Sequence, residues 1–269
     1  MKLFLLVSVI FLTALVIFPV TAEEHTVERG ETALQIALDH NLTLEQLSQL
    51  NPGIDLEMML AGDKLIVPEE GTSFEDFRSG RYAELLRIGG TSCEVLADRS
   101  AFCLFHAENL SDLPLFDIRF RTTVSGRNGN RGQAEGSIAL MQILPGESLP
   151  VGMNIMGPFD EIDNAEVSVL NLSWSEMLTG SFRIPEQAFR QDVSILPDGA
   201  GAGITIEFNT ESIPVYQGKR INILAAAYDS TGKLTGIRSL YSDFYPRLDI
   251  TVYAAAEKIT DVEIFAEAY

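Results

Sequence analysis

The chain has 269 residues, 46% of them hydrophobic, so it is long enough for two or three domains with ordinary cores. Its 19 basic and 38 acidic residues give a formal net charge of −19. This balance argues against a nucleic-acid partner and against electrostatic binding to anionic lipid, because both need a basic surface.

Residues 1–22 are predicted to be a signal peptide. Lys2 precedes an apolar run from Leu3 to Val20, and Val20-Thr21-Ala22 resembles a cleavage site for a signal peptidase. The run approaches the ~20 residues that cross a bilayer, so an uncleaved N-terminal membrane anchor is the alternative. In either case we expect the remaining chain to be extracytoplasmic, either secreted or associated with the cell envelope.

The segment 23–70 predicts a strand, two helices and a closing strand. Thr32 and Thr43 each begin a T-x-x-Q sequence, which is typical of a capped helix start. The sequence Asn51-Pro52-Gly53 ends the second helix, since proline disfavours helical backbone at the residue before it. The closing strand is Lys64–Val67. The residues assigned to the apolar helix faces are Leu34, Ile36, Ala37, Leu38, Leu44, Leu47 and Leu50.

This order of elements resembles the LysM domain, a small βααβ module that binds carbohydrate. The residues that carry the resemblance are Val27, Gly30, Glu31, Thr32, Ile36, Ala37, Thr43, Leu47, Leu50, Asn51, Pro52, Gly53, Gly62, Leu65, Ile66 and Pro68. Glu31 stands where the family usually has Asp, and one residue departs from the pattern, Ala33, where the family usually has Leu. The segment covers about a sixth of the chain.

The resemblance implies that the module binds N-acetylglucosamine chains, as in peptidoglycan or chitin. The groove would lie between the loop that enters the first helix and the loop that leaves the second. The glycan-binding residues it implies are Gly30, Glu31, Thr32, Ala33, Asn51, Pro52, Gly53 and Ile54. Gly30 would allow the backbone to approach the sugar closely. For Thr32 and Asn51, a purely helix-capping role is an equal alternative.

Residues 71–90 are predicted to be a loosely packed connector, with a short helix over Phe74–Arg87 that Gly89-Gly90 ends. Beyond it, Cys93 and Cys103 are expected to form a disulfide across a hairpin, because an exported chain lies in an oxidising compartment. Two buried free thiols are the alternative. A metal site would need more ligands than these two cysteines offer.

From residue 91 onwards, short alternating runs between Gly, Pro, Asn and Asp predict β-strands. Several residues recur after roughly a hundred positions, which indicates a tandem duplication. The recurring pairs are Asn109 with Asn209, Gly129 with Gly232, Pro145 with Pro246 and Val167 with Val262. We expect two immunoglobulin-like β-sandwiches, over 91–178 and 204–269, with a linker at 179–203; a start near 190 is the alternative for the second sandwich.

The sequence from Arg220 to Ser239 is similar to FxLyD-type bacterial domains, in which a Tyr-Asp turn, here Tyr228-Asp229, leads to Thr-Gly-Lys-Leu. This resemblance implies a β-fold outside the cytoplasm and says almost nothing about a ligand. The predicted fold class is therefore multidomain, with a small α+β (βααβ) LysM module followed by two all-β immunoglobulin-like sandwiches.

We expect no enzyme activity, cofactor or metal. The three histidines, His25, His40 and His106, lie in a module strand, at a helix end and in a predicted strand, and none sits beside a cysteine or in an H-x-x-E pattern. No G-x-S-x-G sequence occurs, and the disulfide leaves no thiol nucleophile. The acidic group Asp160, Glu161 and Asp163 is expected to be solvated loop charge. A carboxylate pair for glycoside hydrolysis or a Ca²⁺ site there is the weaker alternative.

Three functions remain after this search. The first is a non-catalytic envelope protein that binds N-acetylglucosamine-containing glycan, with the sandwiches as spacers or protein-interaction modules. The second is an adhesion or assembly protein with a structural LysM module and an unidentified protein partner. The third is a cell-wall hydrolase with an unrecognised site. Exposed aromatic residues or a free edge strand on residues 204–269 would favour the second.

Overall fold

The computed structural model describes residues 22–69, 72–174, 181–209 and 219–269. The predicted signal peptide at 1–22 lies outside the described residues except for Ala22, so its cleavage or its anchoring to a membrane stays a prediction. Across the described ranges, none of the helices combines the length and the apolar character needed to cross a membrane.

The N-terminal module has the predicted βααβ order. Strand β1, Ala22–Thr26, pairs antiparallel with β2, Lys64–Pro68, and helices α1, Ala33–Asp39, and α2, Leu44–Leu50, lie between them in the chain. The first strand begins three residues before the predicted His25, because Ala22 pairs with Pro68 and extends the ladder.

Both helices of the module begin at a threonine cap. The Thr43 hydroxyl accepts a hydrogen bond from the Gln46 amide at 3.1 Å, and the Gln46 side chain accepts one from the Thr43 amide at 2.8 Å, a complete capping box. The Thr32 hydroxyl accepts from the Gln35 amide at 3.2 Å. The Gln35 side chain donates instead to Asp39 at 2.8 Å, so the first box is only half formed.

Helix α3, Phe74–Leu85, corrects the prediction of a loosely packed connector. Phe74 and Phe77, three residues apart, belong to the buried core of the module, whereas Tyr82 and Leu85 belong to the core of the β-region that follows. One helix therefore contributes to two cores. The prediction that Gly89-Gly90 ends the helix is wrong, since α3 ends at Leu85 and a strand starts at the next residue.

The first β-unit has two antiparallel sheets packed face to face. Its strands are β3, Leu86–Val95; β4, Ala101–Asn109; β5, Leu115–Gly126; β6, Arg131–Ser137; β7, Gln142–Ile143; β8, Ser148–Ile155; and β9, Ile162–Trp174. One sheet has the order β3-β4-β8, and in the other β5 lies between β6 and β9, with β7 paired to its first residues. Phe105 and Phe120, one from each sheet, meet edge to face at 5.2 Å between ring centroids.

The predicted disulfide is confirmed. Cys93 of β3 and Cys103 of β4 are directly paired across the hairpin, and they are bonded to each other. The alternative of two free thiols is therefore excluded. The hairpin turns at residues 98–100: the Asp98 carboxylate accepts from the Ser100 amide at 2.9 Å, and Arg99 adopts a φ of +65°.

The second β-unit follows the same plan. Its elements are β10, Phe182–Ile184; a 3₁₀ turn, Glu186–Ala188; β11, Phe189–Ile195; β12, Gly201–Phe208; β13, Arg220–Tyr228; β14, Leu234–Asp243; β15, Arg247–Tyr253; and β16, Asp261–Ala268. One sheet has the order β11-β12-β15 and the other β10-β16-β13-β14. These orders repeat β3-β4-β8 and β9-β5-β6 of the first unit, with β10 added at one edge.

The prediction of a linker at 179–203 is wrong for its described part, which forms β10, β11 and the start of β12. The glycine-rich stretch within this range, residues 199–203, belongs to a hairpin and not to a flexible joint. The Gly199 amide donates to the Leu196 carbonyl, and the Leu196 amide donates to the Gly201 carbonyl. Gly199 takes a φ of +73°, a backbone conformation that glycine adopts without strain. The second unit therefore begins before 190.

The turns also match between the two units, as the predicted duplication requires. In the β5–β6 turn the Gly129 amide bonds to the Gly126 carbonyl, and in the β13–β14 turn the Gly232 amide bonds to the Asp229 carbonyl. Gly129 and Gly232 have φ values of +82° and +80°. A shared strand order with shared turn geometry is the expected result of a tandem duplication.

The two β-units pack against each other. Leu104 of the first unit forms an apolar cluster with Ala226 and Leu234 of the second, and Leu224 belongs to the core of the first unit. The Met141 amide donates to the Glu267 carboxylate at 2.6 Å. The Arg183 guanidinium donates to the Glu147 carboxylate at 2.7 Å. The units therefore share a buried interface instead of being joined only by the chain.

Glu267 makes the stability of this interface dependent on pH. Its side chain is fully buried, and burial raises the pKa of its carboxyl, opposed by the Met141 amide and the Arg183 charge. The folded state therefore holds the proton more tightly than the unfolded state. The free energy of unfolding should fall as the pH rises from the ordinary pKa of Glu, about 4.3, through the raised value, by about 1.4 kcal/mol for each unit of elevation.

Urea denaturation of the wild type and of Glu267→Gln over a pH series tests this expectation. The variant should lose less stability than the wild type between acidic and neutral pH. Burial lowers the pKa of His106, so this residue makes the free energy of unfolding rise with pH. The wild type and the Glu267→Gln variant both contain His106, so its contribution cancels in the comparison. Parallel pH profiles of the two chains would contradict the assignment.

Candidate functional site

A groove on the module lies between the loop that enters α1 and the loop that leaves α2. Its volume is about 580 Å³. The residues that line it are Thr32, Ala33, Leu34, Leu44, Glu45, Ser48, Ile54, Asp55, Leu56 and Glu57. The two loops come together because β1 pairs with β2, which brings the beginning and the end of the module side by side.

Glycines give both loops their backbone turns. Gly30 precedes α1 with a φ of +98°, and Gly53 follows α2 with a φ of +97°. Residues other than glycine, asparagine and aspartate rarely adopt this left-handed backbone conformation. A Cβ atom at Gly30 would meet no atom within 4 Å, so the residue is required for the turn and not for lack of space.

The groove is lined by both apolar and polar side chains. Leu34 and Leu44 are 53% and 43% exposed, although their spacing predicts an inward helix face. Thr32 and Ser48, which carry hydroxyls, line the same groove. A surface that combines exposed methyl groups with hydroxyls suits a sugar that carries an acetamido group, which has a methyl, an N–H and a carbonyl.

The structure brings three of the eight predicted site residues into the groove: Thr32, Ala33 and Ile54. Gly30, Pro52 and Gly53 belong to the two loops that flank it. Among the residues that line the groove, the sequence reasoning missed Leu34, Leu44, Glu45, Ser48, Asp55, Leu56 and Glu57. The sequence signal for Leu34 was its place next to Ala33, a predicted site residue at the start of α1, but its helical spacing with core residues favoured a buried position.

Glu31 is directed towards β1 and not into the groove. Its carboxylate accepts from the Glu28 amide at 2.6 Å and is 3.0 Å from Nε2 of His25. These two partners, the Glu28 amide first, hold the pKa of the Glu31 carboxyl below its usual value. Glu31 therefore fixes the conformation of the loop that enters α1.

Asn51 is buried at the end of α2, where its side chain joins α2 to β2 and does not line the groove. Its amide group donates to the carbonyls of Leu47 at 2.9 Å and Ile66 at 3.0 Å, and its oxygen accepts from the Ile66 amide at 2.7 Å. Both amide hydrogens are thus used inside the protein. Of the two predicted roles for Asn51, this geometry supports the structural one.

The other groups singled out in the sequence have partners of their own. His106 stacks on Tyr228 at 6.0 Å between ring centroids, at the interface of the β-units. Asp160 pairs with Arg99 and Glu161 with Arg127, both in exposed positions. Within the part of the chain that the structure describes, no three His, Cys, Asp or Glu residues come together as a metal site.

Comparison with known families identifies the module. The model of the LysM domain family matches residues 25–68, and LysM domains bind N-acetylglucosamine-containing glycans such as peptidoglycan or chitin. This match confirms the resemblance inferred from the sequence for that segment. No curated protein matches the chain.

Solved structures resemble the chain only remotely. The crystal structure of red sea bream transglutaminase is 9% identical over 74% of this chain and 31% of its own, with a TM-score of 0.20. The structure of BuGH86 in complex with neoagarooctaose is 9% identical over 77% of this chain and 39% of its own, with a TM-score of 0.19. The chain thus spans about a third and two fifths of these two proteins. At such scores the likeness carries no argument about fold or function.

Proposed function

We propose that this protein is a non-catalytic envelope protein that binds N-acetylglucosamine-containing glycan, in peptidoglycan or chitin, through the groove of its LysM module. The observation that carries the proposal is the open groove of about 580 Å³ between the two module loops, with exposed leucines beside hydroxyls. The net charge, the disulfide and the apolar N-terminal run support an extracytoplasmic location.

The two β-units act in this proposal as a spacer or as a protein-interaction surface. We assign them to the immunoglobulin-like and FxLyD-type sandwiches on their paired antiparallel sheets and on the Tyr228-Asp229 turn. Their shared interface supports a rigid spacer, because two packed units hold a fixed distance better than two units joined only by a flexible chain.

A pull-down of the chain without residues 1–22 on insoluble peptidoglycan and on insoluble chitin tests glycan binding. The protein should sediment with at least one of the two polymers, and its recovery in both supernatants would contradict the proposal. Zymography on cell-wall substrate tests the absence of catalysis, and a cleared zone that depends on this chain would overturn it.

Ser48→Trp is expected to block the groove without unfolding the module. Ser48 is exposed on α2 and lines the groove, so an indole at this position would occupy the space of a sugar ring. Affinity for a chitin oligomer should fall by about tenfold or more, which corresponds to about 1.4 kcal/mol or more of binding free energy.

Asp39→Trp is the matched control for this variant, because Asp39 is exposed on α1 and does not line the groove. Titration calorimetry with both variants should separate the effect of position from that of a surface tryptophan. Equal affinities for the two variants would place the sugar elsewhere.

An adhesion or assembly protein is the second candidate, and one observation favours it. Three tyrosines of the second β-unit are largely exposed: Tyr241 at 52%, Tyr245 at 54% and Tyr253 at 66%. Tyrosine is enriched at protein interfaces, where its ring supplies area and its hydroxyl a hydrogen bond. Under this candidate, the LysM module is structural and the glycan pull-down fails.

A further inference from the structure

Strand β16 of the second β-unit has an open edge over its first half. On one side, β13 pairs with the whole of β16. On the other side, β10 pairs only with Ala266–Ala268, and within the described ranges no further strand pairs with that edge. An unpaired strand edge presents backbone N–H and C=O groups to any extended segment that reaches it. The residues Asp261–Ile264 are therefore placed to accept one more strand.

A groove of about 460 Å³ runs along this open edge. Strand β16 lines it with Asp261–Ile264, and β11 of the other sheet lines it with Phe189 and Gln191; Glu186 and Tyr228 complete the lining. In the first β-unit the equivalent strands, β3 and β9, contact each other. The second unit thus has space for an added strand at the edge where the strands of the first unit touch.

The two faces of the open edge differ in chemistry. Val262 and Ile264 belong to the core of the second unit, and Phe189 packs against that core. Asp261 and Glu263 alternate with them along β16, so their side chains point to the opposite face of the sheet. The residues of an added strand would alternate in the same way. One set of its side chains would lie on the apolar face, and the other set would meet the two carboxylates.

The charged side chains that line the groove are all acidic: Glu186, Asp261 and Glu263. In the part of the chain that the structure describes, no ion pair includes any of the three. Burial raises the pKa of Glu263, whereas the Tyr228 hydroxyl, which donates to it at 3.1 Å, lowers this pKa. The charges of Glu186, Asp261 and Glu147 raise it further. A cation beside these carboxylates would offset their mutual repulsion.

We propose that the groove between β11 and β16 binds an extended segment of another protein in which basic and apolar residues alternate. The segment adds a strand to the open edge of β16, in line with β10. Its apolar side chains lie against Phe189, Val262 and Ile264, and its lysine or arginine side chains meet Asp261 and Glu263. Addition of a strand to a sheet edge is a recurring mode of peptide recognition. This inference goes beyond the proposed glycan binding and does not depend on it.

Titration calorimetry with two capped hexapeptides tests the inference on the chain without residues 1–22. One peptide alternates lysine and valine; the other has the same composition in two blocks, three lysines and then three valines. The four residues of the open edge span about 13 Å, which either peptide can cover. The alternating peptide should bind about fivefold more tightly or better, because it alone places all its lysines on one face. Binding should also slow hydrogen exchange of backbone amides within Asp261–Ile264.

Gln191→Trp should weaken binding of the alternating peptide by about tenfold or more. Gln191 pairs with Ile206, a core residue, so an indole at this position would point into the groove and fill it. Asp192→Trp is the matched control, because the next residue along β11 points to the opposite face and does not line the groove. This control should bind like the wild type.

Asp261→Asn with Glu263→Gln tests the charge of the groove. The two amides retain oxygens that can accept the same hydrogen bonds, and the alternating peptide should bind about fivefold more weakly or worse. Asp192→Asn with Asp198→Asn removes two exposed charges outside the groove and should have little effect.

Three results would overturn the inference: no binding of the alternating peptide, equal binding of the two hexapeptides, or unchanged affinity in Gln191→Trp. None of them bears on the glycan proposal, because sedimentation with insoluble glycan reports on the module and not on the second β-unit.

Discussion

Phe77→Ala is expected to unfold the module and abolish its sedimentation with insoluble glycan, although Phe77 lies outside the segment that matches the LysM family. The side chain of Phe77 is fully buried and belongs to the same apolar cluster as Leu47, Leu50 and Leu65. Replacing a buried phenylalanine by alanine costs about 3–5 kcal/mol. A folded unit of roughly 60 residues has about 3–9 kcal/mol of stability in total, so most of it would be lost.

Hydrogen exchange of the backbone amides of α1 and α2 measures this loss for the module alone. Protection should fall by about two to three orders of magnitude in Phe77→Ala, since each factor of ten corresponds to about 1.4 kcal/mol. Ser79→Ala is the matched control, because Ser79 is exposed on the same helix. If Phe77→Ala exchanges like the control, helix α3 is not part of the module.

Asn51→Ala is expected to destabilise the module by about 3 kcal/mol or more. The substitution removes three hydrogen bonds, two of which join the end of α2 to Ile66 of β2, and leaves the Ile66 amide and the carbonyls of Leu47 and Ile66 without this partner. A buried backbone group left unpaired costs about 1–3 kcal/mol. The same hydrogen-exchange measurement reports the loss.

The outcome for Asn51 also separates its two predicted roles. A residue that contacted only the glycan would lower affinity for chitin oligomer while leaving amide protection unchanged. Thr32→Ala serves as the comparison, because it removes one helix cap on the exposed side of the module and should cost about 1 kcal/mol. Protection in Asn51→Ala that equals that of Thr32→Ala would contradict the structural role.

The elements of the module could be predicted because their signals are local. A threonine cap, a proline after the last helical residue and a glycine in the left-handed conformation act on the residues next to them. For this reason the bounds of α2 at Leu44 and Leu50 follow from Thr43 and Pro52. The disulfide was predictable for a similar reason, since its cysteines are ten positions apart and a turn lies between them.

The same local rules gave wrong predictions where a pattern is compatible with two structural environments. Leu34 and Leu44 have helical spacing with buried residues, yet both face the groove, because a seven-residue helix has only one side covered by the core. The glycine-rich stretch before Gly203 has the composition of a linker. Its backbone hydrogen bonds place it in a hairpin, and amino-acid composition alone does not predict those hydrogen bonds.

Local patterns in the amino-acid sequence were enough to predict the βααβ module, the disulfide and the two β-units, because turn residues and alternating side chains act over a few positions. The three-dimensional structure was needed to find that α3 contributes to two cores, that Asn51 joins α2 to β2, that Glu31 bonds to the loop and strand before α1, and that residues of α1, of α2 and of the loop after α2 line one groove. These outcomes depend on which surfaces come together when β1 pairs with β2 and the β-units pack. Distances between residues far apart in the chain are set by that packing, and no local pattern in the sequence encodes them.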